Sequence, residues 1–214
     1  MDFKFNLSGN NIPLIKDFPI NENESIAYGE AVGIKDGLVV KADEAEDILG
    51  VAVENHSGEK SELNARSNGN KIRVIISPDA VYGVKSKEYT ATSGSENTLT
   101  VSSDGLSVGV DSGSAVLVRK GENSLNTDRI GTARKITGCT VSGDSATLTV
   151  EDGACISEGD VYVLIPEIGG EMKLDESGMG VCFFRQNTTC KFICTGYDDD
   201  GENVYVKLCD TIFA

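Results

Sequence analysis

The sequence predicts a mostly β protein. It reads as two pseudo-repeated small β-sandwich or barrel units, with a β-hairpin insertion between them and an extended N-terminal arm. Three observations predict this. Glycine is abundant, at 24 of 214 residues, while proline is scarce, at four. Glycines spread among Val, Ile, Thr and Tyr mark strands joined by tight turns. Apolar residues alternate with period two in many short runs, which places one face of each strand on a core. Finally, a pattern of turn and strand residues recurs at an offset near 130.

The arm comprises residues 1–25. Phe3, Phe5 and Leu7 alternate, and Ile12, Leu14, Phe18 and Ile20 punctuate a polar stretch that holds Pro13 and Pro19. Two readings fit: an edge strand of the protein's own sheet, or an arm that adds to a neighbour's sheet edge. The second reading makes Phe3, Phe5, Leu7, Ile12, Leu14 and Phe18 contact residues.

The first β-repeat spans residues 26–81 and the second spans 156–214. Ile26 and Ile156 each precede a glycine and an acid three residues on, Gly29-Glu30 and Gly159-Asp160. Lys41 with Asp43 answers Lys173 with Asp175, and Gly50-Val51 answers Gly180-Val181. Each copy closes on an alternating strand, Ile72, Val74 and Ile76 or Val204, Val206 and Leu208. Gly29, Gly50, Gly159 and Gly180 are read as structural turn glycines, where a side chain is unwelcome. The one short helix candidate is Asp43 to Leu49.

Residues 82–155 form the insertion. Ser-Gly-Ser-Glu-Asn-Thr-Leu-Thr-Val from Ser93 echoes Ser-Gly-Asp-Ser-Ala-Thr-Leu-Thr-Val from Ser142. Both read as a turn followed by a strand, hence as hairpins. The apolar content of this segment is thin, so the expectation is an appendage that leans on the core.

The net charge of −15 repels phosphates and argues against nucleic-acid binding. One window opposes the trend. Arg119, Lys120, Arg129, Arg134 and Lys135 face only Glu122 and Asp128 between residues 119 and 135. The window reads as a solvated loop or as a basic patch for an acidic partner. The first ten residues lack the apolar core of a signal peptide, and no run approaches the roughly 20 apolar residues of a membrane helix. Synthesis and folding in a cytosol are therefore expected, with no membrane partner. The six cysteines, Cys139, Cys155, Cys182, Cys190, Cys194 and Cys209, are then read as free thiols.

No constellation selects an enzyme, a metal or another cofactor. His56 is the one histidine and sits in a polar run, as a surface residue would. Gly105-Leu106-Ser107-Val108-Gly109 matches the nucleophile-elbow pattern formally. A turn-like Asp111-Ser112-Gly113-Ser114 follows it, however, and no histidine lies downstream. Asp198-Asp199-Asp200-Gly201 has the composition of a calcium loop, but aligning Gly201 with the loop glycine puts Gly196 and Lys207 at ligand positions. A hairpin turn explains it better. Cys190 and Cys194 fall on one strand face with Phe192, which is core-like and not zinc-like.

The stretch from Gly29 to Ile76 resembles the capsid decoration proteins of tailed phages. The residues that carry the resemblance are Gly29-Glu30-Ala31-Val32, Asp36-Gly37 with its valine-rich strand, Ile48-Leu49-Gly50-Val51-Ala52 and the late Ile-x-Val strand. The second repeat matches more loosely, and residues 82–155 are not covered. The resemblance implies a non-enzymatic virion protein on the capsid exterior, made in the host bacterial cytoplasm. It also implies the major capsid protein as partner, a homo-oligomer (a trimer by the family's habit) and no cofactor. The alternative is a receptor- or glycan-binding virion module or head-fibre anchor, with the hairpin insertion as its binding end.

Overall fold

The computed structural model describes residues 3–6, 13–42, 47–57, 70–77, 79–103, 106, 115–121, 133–151, 156–174, 181–183, 192–199 and 201–208. These residues form three antiparallel sheets with no α-helix, so the mostly β reading holds.

The five-stranded sheet has the order β2 (Ile15–Pro19), β6 (Lys71–Ile75), β5 (Ile48–Ala52), β3 (Ala31–Lys35), β4 (Leu38–Lys41). A parallel bridge between Ile20 and Val39 joins its two outer strands and closes the sheet on itself. Alternating side chains then point inward or outward. Ile20, Ile26, Val32, Val39, Leu49, Ala52, Ile72, Val74 and Ile76 form the interior cluster. Strand β5 is buried along its whole length because both of its faces are used. A bulge opposite Val32 and Gly33 shifts its alternation. Ile48 and Val51 therefore share the outer face, while Leu49 and Ala52 share the inner one.

Ile48 and Leu49 thus belong to a strand and not to the short helix expected from Asp43 onward; Asp43 itself lies outside the described residues. Their neighbours Val51 and Ala52 continue the apolar run on both faces. A doubly buried strand carries that pattern as readily as a helix does.

The six-stranded sheet has the order β1 (Phe3–Asn6), β7 (Val81–Lys85), β18 (Asn203–Leu208), β17 (Phe192–Tyr197), β15 (Glu171–Leu174), β16 (Val181–Phe183). Its Tyr82, Val84, Phe192, Cys194, Val204, Val206 and Leu208 share one core cluster with Ala31, Ile48, Val51 and Ile75 of the closed sheet. The outer face of the five-stranded sheet therefore rests on this second sheet. Phe192 and Cys194 do fall on one buried face, as their spacing requires.

The seven-stranded sheet has the order β8 (Glu88–Thr90), β14 (Asp160–Ile165), β11 (Ala115–Gly121), β12 (Ala133–Ser142), β13 (Ser145–Val150), β10 (Thr98–Ser102), β9 (Ser93–Gly94). Its two end strands are parts of one extended run. Ala91 exchanges backbone bonds with Gly159 and Asp160, and Thr92 N–H donates to Thr100 O. This sheet, too, comes back on itself, around Tyr89, Leu99, Val101, Ile136, Leu148, Val150, Ile156, Tyr162 and Leu164.

The segment expected to be a thin appendage therefore has a substantial core. Its own alternating strands supply Leu99, Val101, Ala146, Leu148 and Val150, and Ile156, Tyr162 and Leu164 come from beyond residue 155. Strand β14 lies in this sheet, whereas β15 to β18 lie in the six-stranded sheet.

Candidate interaction surface

The two Gly-acid turns have matching geometry. Gly29 and Gly159 both adopt left-handed backbone, at φ 81° and 88°. The acid that follows is buried in each case, Glu30 at 3% and Asp160 at 7% exposure. Each carboxylate accepts the N–H three residues earlier: Ala27 N–H to Glu30 Oε2 at 2.8 Å, and Ser157 N–H to Asp160 Oδ2 at 3.2 Å. Each glycine donates to an alanine carbonyl on the neighbouring run, Gly29 to Ala52 and Gly159 to Ala91, and each alanine N–H returns a bond to the acid's carbonyl. A buried carboxylate needs such partners to stay folded in.

The two turns differ in their second partner. Glu30 Oε1 meets Lys41 Nζ at 3.4 Å, while Asp160 Oδ2 accepts the Tyr162 hydroxyl at 3.1 Å. Both acids are therefore tied into their turns, Glu30 through both oxygens and Asp160 through Oδ2, while the buried Asp160 Oδ1 has no hydrogen-bond partner. Gly50 lies inside β5 and not in a turn. A Cβ there would stand 1.9 Å from Ile75 O, so glycine is required by close approach of two backbones. Gly180 falls outside the described residues.

The basic window is partly brought together. Arg119 and Lys120 lie on β11, and Arg134 and Lys135 lie on its antiparallel neighbour β12. Arg134 stands opposite Val116 and Lys135 opposite Ala115. Lys120, at the other end of β11, stands opposite Val161 of β14. Lys135 is exposed and Arg134 half-buried. Arg129 is outside the described residues. Four cations of the window thus lie on two paired strands of a strongly acidic protein.

The N-terminal residues separate into two places. Phe3 and Phe5 lie on β1, opposite Val84 and Tyr82 of β7. Residues 15–19 form β2 of the closed sheet, with Phe18 packed against its interior and Ile20 buried in it. Leu14 is half exposed; its N–H donates to Ser77 Oγ at 2.5 Å, and its carbonyl accepts from Ile76 N–H. Leu7 and Ile12 lie outside the described residues. Exposed Ile15, Tyr28, Ile168 and Tyr197 join Leu14 as large apolar surface residues. Their exposure follows from position at strand ends and turns, which an alternation count does not register.

Some of the residues weighed for chemistry lie among the described residues. His56 is half-buried and not a free loop residue. Its backbone pairs with Ile26, and its Nδ1 lies 2.8 Å from Glu24 O, which can only accept, so Nδ1 carries the proton. Asp198 closes a hairpin turn. It accepts Asn203 Nδ2 at 2.6 Å and the Tyr205 hydroxyl, and these two bonds hold its carboxyl below the usual carboxylate range. Its oxygens thus serve the turn, as the hairpin reading expects. Burial pushes the Cys194 and Cys139 thiols up. Both are free. Of the Gly-x-Ser-x-Gly match, only Leu106 is described, and it is buried. Among the described residues, no three His, Cys, Asp or Glu side chains gather as a metal site.

Comparison with family models, with curated proteins and with solved structures finds no match.

Proposed function

We propose that this protein is a structural virion component that binds the outer surface of a tailed-phage capsid and stabilises or decorates its capsomers. The observation that carries the reading is the placement of the stretch resembling decoration proteins. Its described strands, β3 to β6, lie next to one another in a single closed sheet with its own interior. The residues that carry the resemblance are thus one folded unit and not a scatter of turn motifs. The partner is the major capsid protein, and the protein acts by contact, without turnover or cofactor. It is made in the bacterial cytoplasm and ends on the capsid exterior, as a homo-oligomer and, by the resemblance, a trimer.

The matching turns at Gly29 and Gly159 support a further element of the reading, in which two β-units descend from one. The shared unit is then the Gly-acid turn with the strand after it, β3 in one sheet and β14 in the other.

The mechanism follows from the surface. Two closed sheets, and a six-stranded sheet that shares a core with one of them, give folded surfaces that lose little conformational entropy on docking. The cations of β11 and β12 meet an acidic patch of the shell, which steers and orients the approach. Many copies on one lattice give avidity from weak single contacts. Binding only the assembled shell stabilises it by mass action.

The test is co-sedimentation of the purified protein with assembled capsids and with unassembled capsid protein. Saturable binding to the assembled shell alone is expected. Absence of binding, or equal binding to both forms, overturns the proposal.

A further inference from the structure

Strands β8 to β14 follow one another in the chain, and all of them lie in the seven-stranded sheet. Each finds its strand partners within that set, so among the described strands no ladder joins residues 88–165 to either of the other sheets. Bonds beyond the ladders tie the same segment to itself: Ala91 N–H donates to Asp160 O, Val150 N–H to Asn97 O and Ser103 N–H to Asp144 O. The interior cluster, built on Leu99, Ile136, Leu148 and Tyr162, shares no residue with the clusters of the other two sheets. Along β12 and β13 the outer face needs no cover, since Thr140, Ser142, Ser145, Thr147 and Thr149 are exposed there. Cover occurs on β14, where Val163 and Ile165 are fully buried in a small cluster of their own.

The way into this sheet and the way out of it lie side by side, because Glu88 stands opposite Val163. Just outside those points the chain is tied to the six-stranded sheet. Ser86 N–H donates to Glu202 O at 2.9 Å on one side. On the other, Gly169 N–H donates to Cys194 O at 2.8 Å and Cys194 N–H donates to Gly170 O at 3.0 Å. Adjacent ends and a private core are what allow one folded body to be inserted within another.

We propose that residues 88–165 are an inserted domain that unfolds and refolds as its own cooperative unit while the other two sheets stay folded, with joints at Ser86–Lys87 and at residues 166–170. The two remaining sheets do not divide in this way, because Ala31, Ile48 and Val51 of one share a core with Tyr82, Phe192 and Val206 of the other. The division has a functional consequence. Arg119, Lys120, Arg134 and Lys135 all lie in the inserted domain, whereas β3 to β6 lie outside it. The cations and the capsid-protein-like strands are thus carried on bodies that open one at a time. The inference is independent of what the protein binds.

The experiment is hydrogen–deuterium exchange of the full chain, read peptide by peptide by mass. Leu148→Ala removes a side chain that is 1% exposed from the core of the inserted domain. Amides of β10, β12 and β13 should then exchange together, about a hundredfold faster or more, while those of β5, β17 and β18 keep their wild-type rates. Leu148→Val, a milder change, should show the same confinement with a smaller acceleration. The converse variant, Phe192→Ala, should speed exchange in β5, β17 and β18 and spare β10, β12 and β13. Acceleration of both sets alike by either core variant overturns the proposal. So does a Leu148→Ala chain in which β10, β12 and β13 do not exchange as one.

Discussion

Replacing Gly50 by alanine should be among the most damaging single-methyl changes available to this protein. A Cβ at residue 50 would stand 1.9 Å from Ile75 O, 2.9 Å from Val74 Cγ1 and 3.0 Å from Ile75 C. Two of those three atoms are backbone and cannot rotate aside. Restoring even a 3.0 Å contact requires β5 and β6 to separate by about 1.1 Å. That movement works against the pairings of Val51 with Ile75 and Ala52 with Val74. It also strains both clusters on β5, since Leu49 and Ala52 face inward while Ile48 and Val51 face the six-stranded sheet. Overpacking costs about 1–3 kcal/mol in ordinary cores, and each ladder bond is worth about 1 kcal/mol net. A loss of about 3–4 kcal/mol is expected, since little in this doubly buried strand can relax. Two other glycines calibrate the argument. Gly37 has φ +81° and open space around it, so Gly37→Ala should cost only the left-handed penalty of about 1–2 kcal/mol. Gly138 would place its Cβ no closer than 3.8 Å to anything, so Gly138→Ala should be neutral or stabilising by about 0.5 kcal/mol. The assay is urea unfolding followed by tyrosine fluorescence and far-ultraviolet circular dichroism, the chain having no tryptophan. A Gly50→Ala midpoint at or above that of Gly37→Ala would refute the close-approach reasoning.

Three further outcomes are expected. Glu30→Ala should destabilise by about 2–3 kcal/mol in the same urea assay, because it strands the Ala27 N–H and leaves Lys41 without its carboxylate. Asp198→Asn should lose stability at neutral pH. Because the folded carboxyl titrates below its unfolded value, its contribution is present above the unfolded value and fades as pH falls through the folded one. The gap between wild type and variant should therefore close in acid, and a gap that widens there would contradict the turn-locking role. Deleting residues 2–6 should leave the closed five-stranded sheet folded, whereas deleting residues 2–20 should unfold it by removing β2, Phe18 and Ile20. Circular dichroism and urea midpoints of the two truncations separate these cases.

Local patterns were legible in the sequence, and long-range pairing was not. The Ile-x-x-Gly-acid pattern identified two real turns, because a left-handed glycine and a buried acid are properties of five consecutive residues. Gly50 stood out as a residue, but its role did not. A close backbone approach inside a strand and a turn ask for the same amino acid, and only the position of Ile75 distinguishes them. The alternation of Val204, Val206 and Leu208 correctly marked one buried face. It carried no information on which sheet that face belongs to, since period two is common to all sheets. The core of the seven-stranded sheet escaped notice for the same reason. Ile156, Tyr162 and Leu164 complete it from outside the segment that looked apolar-poor. At the candidate surface, the basic residues were visible as a cluster in sequence. That β11 and β12 are paired neighbours depends on register, which composition does not encode.

The most direct test of the central claim is the protein content of purified mature virions, measured by quantitative mass spectrometry against the major capsid protein. A capsid-surface component should be present at a fixed small number of copies per capsomer and should be accessible to surface labelling. Absence from purified virions, or a copy number unrelated to the capsomer count, would contradict the account.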